Sequence, residues 1–117
     1  MAWLSADALP VTEHAVAIRR ELAAANPDRY RPGLAASLSI LGVALSALGR
    51  PADALPVTEE AVAIRRELAA AYPDRHRPDL ADSLSILGVA FSDLGRDREA
   101  ASASAEADML RGSSVGS

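Results

Sequence analysis

Apolar residues recur along this chain in interleaved helical rhythms. Leu34, Leu38, Leu41, Leu45 and Leu48 follow one another at steps of 4, 3, 4 and 3, with Ser37, Ser39 and Ser46 among the polar positions between them. Such spacing keeps all five leucines on one side of a helix. Further on, Ala54, Val57, Ala61, Ile64 and Leu68 step by 3, 4, 3 and 4, while Leu55, Val62 and Ala69 form a second line seven residues apart. A helix with two apolar lines needs a neighbour on each flank. The whole pattern then returns. Ala6–Pro51 lies on Ala52–Asp97 at a shift of 46 without a gap, and 38 of the 46 positions are identical. The differences are His14/Glu60, Asn26/Tyr72, Tyr30/His76, Gly33/Asp79, Ala36/Asp82, Leu45/Phe91, Ala47/Asp93 and Pro51/Asp97. Repetition of this fidelity predicts helical hairpins stacked in a row, an all-α solenoid of antiparallel helix pairs.

The rhythm predicts five helices, at about 6–25, 34–48, 52–71, 80–94 and 98–111, in the order B-A-B-A-B. Residues 1–5 are a short lead, 6–111 the repeat domain, and 112–117 (GSSVGS) a flexible tail. Pro10 and Pro56 fall early in their helices and predict a modest bend. The stretches NPDRYRPG (26–33) and YPDRHRPD (72–79) each hold two prolines five residues apart, which predicts non-helical connectors. In that scheme Asp79 caps the following helix and Gly33 is a weaker cap. Gly49 and Gly95 end helices in the left-handed conformation. Gly42 and Gly88 sit in mid-helix, where glycine costs about 1 kcal/mol against alanine, so a partner helix is expected to pass close there. In the last helix Ala101, Ala103 and Asp108 replace the Leu55, Val57 and Val62 of the earlier copy, as suits a terminal helix facing water.

Composition narrows the function. With 50% hydrophobic but only 3% aromatic residues, helices here pack mainly through alanine and leucine. A net charge of −4 argues against a nucleic-acid partner. The lead is too short and lacks the basic flank of a signal peptide, and no apolar run reaches membrane-spanning length. There is no cysteine, so neither a disulfide framework nor thiolate chemistry is available, and a soluble cytoplasmic protein is the expectation. His14 and His76 stand alone on their elements and are expected at the solvated surface, with no metal or cofactor site. No serine has a nucleophile context, so no catalytic residue and no enzyme activity is expected. Arg19-Arg20, Arg65-Arg66 and the connector arginines Arg29, Arg31, Arg75 and Arg77 read as a solvated or salt-bridged edge.

Leu38-x-x-Leu41-Gly42-x-x-Leu45, followed by Gly49, Ala54 and Ala61, resembles the tetratricopeptide repeat, and Leu84, Leu87, Gly88, Phe91, Gly95 and Ala100 state it again. LSILG, GRPADALP and AVAIRRE, with the proline inside ADALP, are similar to the kinesin-light-chain type. Near-identical repeats of this sort also resemble arrays carried by large bacterial signalling proteins. The resemblance implies a right-handed superhelix and a non-enzymatic protein–protein interaction scaffold that receives a peptide or protein segment on its concave first-helix face. It implies a lining of Ala36, Ser39, Val43, Ser46 and Ala47 in one unit and of Asp82, Ser85, Val89, Ser92 and Asp93 in the next. Asp82 and Asp93 both replace alanine and lie 11 apart on one side of one helix, which favours a basic segment.

A B-A-B-A-B order leaves the first helix without an A partner. Its stripe of Val11, Ala15, Ile18 and Leu22, with Trp3 and Leu4 before it, is an apolar patch larger than monomers usually expose. A homo-oligomer, most simply a dimer, or a place in a longer array is expected, and self-assembly through the terminal helices is the alternative function.

Overall fold

In the computed structural model, residues 8–115 are described, with side chains over 8–112. They form five helices: α1 Leu9–Ala25, α2 Pro27–Ala47, α3 Pro51–Ala71, α4 Pro73–Asp93 and α5 Asp97–Val115. The first four carry proline at their first or second position, where the missing N–H would have had no intrahelical partner. At the position of Pro51, α5 begins instead with Asp97, a carboxylate placed against the positive end of the helix dipole.

The two predicted connectors are helical, which corrects the reading of 26–33 and 72–79 as loops. Only Asn26 (φ −145°) and Tyr72 (φ −136°) leave the helical region, because the proline that follows each excludes it. Pro32 and Pro78 lie within α2 and α4 and each removes one backbone bond. Around Pro32 the helix is secured by an Arg31–Glu67 ion pair and by the packing of Tyr30 and Leu34 into the core. Gly33 and Asp79 are therefore interior residues and not caps. Asn26 caps α2, its side chain accepting from the Arg29 N–H at 3.4 Å. Residues 112–115 of the expected tail belong to α5.

The other two reversals follow expectation. Gly49 (φ +73°) and Gly95 (φ +74°) close α2 and α4, with the N–H of Arg50 donating to the carbonyl of Leu45 at 2.9 Å and that of Arg96 to Phe91 at 2.8 Å.

Consecutive helices pack side by side in one row, and the molecule is a slab of 43 × 37 × 22 Å. Two successive cores fill it. The first joins Leu9, Val16 and Ala23 of α1, the leucines of α2, and Ala54, Ala61 and Ile64 of α3. The second joins Val62 and Ala69, on the other flank of α3, to Leu80, Leu84, Leu87 and Phe91 of α4 and Ala103 and Ala107 of α5. The two apolar lines of α3 thus serve two layers, the mark of a solenoid.

Glycine permits the closest approach. A Cβ at Gly42 would collide with the hydroxyl of Thr58 on α3, and Ile86 of α4 lies against the same spot. Thr58 is wholly buried and donates to the Ala54 carbonyl at 2.8 Å. At Gly88 the crowding is milder, with the Ser104 hydroxyl 3.0 Å from a built Cβ.

Candidate binding face

A repeated arginine ties each odd-numbered helix to the one that follows it, and the second copy also reaches back to α2. Arg19 of α1 donates to the carbonyl of Gly33 at 3.0 Å and to Ser37 Oγ at 2.8 Å. Arg65, its counterpart on α3, donates to the carbonyl of Asp79 at 3.2 Å and to Ser83 Oγ at 2.7 Å, and reaches Ser39 Oγ at 3.2 Å as well. Ser39 and Ser83 also meet directly, at 3.1 Å. One guanidinium thus joins α2 to α4 from beneath. The odd-numbered helices are linked by longer side chains, Arg20–Glu60 and Arg66–Glu106. The hydrogen bond with Glu106 raises the Arg66 pKa, against some desolvation. α2 and α4 thus meet each other directly across α3 and share one side of the slab.

On that side α2 has Ala36, Ile40, Val43 and Ala47, and α4 has Asp82, Ile86, Val89 and Asp93, all exposed or half-buried. Ile40 is 47% exposed and Val89 53%, so the floor of the face is apolar and open. Asp82 and Asp93 stand near its two ends. Asp82 accepts from Arg111 at 3.1 Å, while Asp93 has no ion pair among the described residues.

The structure separates the residues of the expected lining. Ala36, Val43, Ala47, Asp82, Val89 and Asp93 lie on the face, and Ile40 and Ile86 were missed. Ser39 is buried between α2, α3 and α4 and belongs to the arginine junction. The Ser46 hydroxyl is buried without a partner, Ser85 is half-buried, and Ser92 is exposed. A one-residue step rotates a helix position by about 100°, so Ser39 and its neighbour Ile40 point to different sides of α2. The signal lay in the sequence: Ala36, Ile40, Val43 and Ala47 step by 4, 3 and 4.

A cleft of about 580 Å³ opens toward the N-terminal ends of α2 and α4. Asp28 and Pro32 form one wall, Arg75, His76 and Asp79 the other, and Arg65, Leu68 and Tyr72 of α3 and its end complete it. His76 is only 8% exposed, which corrects its placement at the solvated surface; the ring packs tilted toward Tyr72 at 6.4 Å between centroids. His14 is exposed as expected.

Of the residues expected to self-associate, Val11, Ile18 and Leu22 are exposed along α1, and Trp3 and Leu4 lie outside the described residues. Among the described residues no group of three acidic, histidine or cysteine side chains is placed to hold a metal ion. No helix among them is long and apolar enough to cross a membrane.

Residues 34–76, from the first core leucine of α2 to the buried histidine of α4, match the tetratricopeptide repeat family. No curated protein and no solved structure matches the chain.

Proposed function

Since residues 34–76 carry a tetratricopeptide repeat, we propose that the chain is a non-enzymatic scaffold that binds a protein or peptide segment on the inner face of α2 and α4. The observation that supports this most is the open apolar floor. Ile40 and Val89 are large aliphatic side chains left half in water, where Leu41 and Leu87 beside them are buried. Four aliphatic positions from two parallel elements give a strip suited to alternate side chains of an extended segment or to one stripe of a helix. Asp93 adds an unpaired carboxylate, so the segment is apolar with a basic residue toward that end. The proline inside ADALP, at Pro10 and Pro56, supports the kinesin-light-chain-like subtype.

The test is a displayed library of random peptides selected on the folded chain. Selected binders should be apolar with a basic end. They should lose affinity by about tenfold or more, a loss of about 1.4 kcal/mol, on I40E or V89E, and keep it on A70E, which changes an exposed residue of α3. Binders indifferent to I40E and V89E would overturn the assignment of the face.

A second reading, self-assembly, is favoured by a separate observation. Val11, Ile18 and Leu22 are exposed on α1, whereas their counterparts Val57, Ile64 and Leu68 are buried or half-buried against α2. Light scattering of I18E beside the parent chain separates the two readings. Loss of an oligomer supports self-assembly, and a monomeric parent at high concentration removes it.

A further inference from the structure

Three of the eight differences between the two copies, Asn26/Tyr72, Tyr30/His76 and Gly33/Asp79, fall on the cleft between the N-terminal ends of α2 and α4. The rest of its lining, Asp28, Pro32, Arg65, Leu68 and Arg75, recurs in the other copies wherever they extend, as Asp74, Pro78, Arg19, Leu22 and Arg29. A repeated frame therefore holds a changed lining. The change adds an aromatic rim, a buried imidazole and a carboxylate. Neither ring nitrogen of His76 has a hydrogen-bond partner among the described residues, although the side chain is more than nine-tenths buried and borders the cleft. Those nitrogens are not sealed off from the cleft, so they are available to a ligand seated there.

We propose that this cleft is a specificity pocket for an arginine side chain of a bound segment, stacked on Tyr72 and held by Asp79, Asp28 and the His76 imidazole. The peptide context rests on the inner-face reading, but the pocket is testable alone. The volume lies within the range of small-ligand sites. The aromatic ring offers a face to a guanidinium. The carboxylates of Asp28 and Asp79 form no ion pair among the described residues, so both are free to accept its N–H groups. The two resident cations oppose this weakly. Arg65 spends one terminal nitrogen on Ser39, Ser83 and the Asp79 carbonyl, and Arg75 is exposed, where solvent screens it. An acidic ligand, in contrast, meets the one charge that the second copy has added, Asp79. Asp82, one turn further along α4, carries the same sign toward the inner face, so pocket and strip select in one direction.

The experiment is an NMR titration of the folded chain with acetyl-arginine amide, with acetyl-citrulline amide as its neutral isostere and acetyl-glutamate amide as the anion. The chain has two histidines and two tyrosines, so the ring signals of His76 and Tyr72 are readily separated from those of His14 and Tyr30. The arginine probe should shift His76 and Tyr72 selectively and bind about tenfold more tightly than citrulline. The triple variant Y72N, H76Y, D79G installs the residues native to the other copy, so it is expected to fold. Followed through the backbone amides of Leu68 and Arg75, it should bind the arginine probe about tenfold more weakly. Equal binding of citrulline, preference for glutamate, or an unchanged affinity in a folded triple variant would overturn the proposal. V89E should leave this titration unchanged while abolishing peptide binding on the strip, so the two sites fail separately.

Discussion

The two ends of the row are built differently. At α5 the outer line has been rewritten: Ala101 and Asp108, both exposed, stand where α3 carries Leu55 and Val62. At α1 the sequence of α3 is kept almost unchanged, and its stripe lies open. Ile18 is 45% exposed where Ile64, the same residue in the same local sequence, is 5% exposed. Near-identical stretches thus differ in exposure through what lies beside them, which measures neighbour packing with the local sequence held constant. The α5 end carries small and charged residues toward water, and the α1 end keeps the apolar stripe that is buried or half-buried on α3.

Truncation should expose that contrast most sharply. I64A is expected to cost about 2–4 kcal/mol in denaturant unfolding, and I18A less than about 1 kcal/mol. Near-equal costs would mean that the α1 stripe is covered in solution. Closely behind comes the glycine pair. G42A should destabilise by about 1–3 kcal/mol through its clash with Thr58, and adding T58A should recover part of the loss. G88A, whose obstacle is an exposed serine hydroxyl, should cost less. Next, R65Q leaves Ser39 and Ser83 only each other as partners in a buried site and should cost about 1–2 kcal/mol. R19Q, with a single serine partner in Ser37, should cost about half of that. The smallest effect belongs to the outer ion pairs. E106Q removes an exposed partner of Arg66 and should change stability by less than about 1 kcal/mol, fading with salt.

Much of this architecture was legible because periodicity and repetition report directly on packing. The close approach at Gly42, the reversals at Gly49 and Gly95 and the water-facing line of α5 all follow from residue type at a repeated position. The prolines were harder. Pro27 and Pro32 have the same local effect on their predecessors, yet only the first breaks a helix; around the second, Tyr30, Leu34 and the Arg31–Glu67 pair hold the helical path. Tertiary support decided the matter, and a local rule does not contain it. His76 was misplaced for a related reason. Its segment was taken as a loop, and a residue on a loop is expected in water, whereas on α4 it turns inward. The family resemblance puts Ser39 on the lining, but the fold buries it where Arg65 and Ser83 meet its hydroxyl, partners distant in sequence.

That guanidinium has a mechanical consequence. Apolar side chains slide over one another at little cost, but a single guanidinium nitrogen bonded to both Ser39 and Ser83 resists being pulled from either. Beneath the strip, Arg65 acts as a tie-rod with a fixed span. A partner too wide for the channel must either sever those bonds or stay out, so this one residue sets a gauge for what can be seated there.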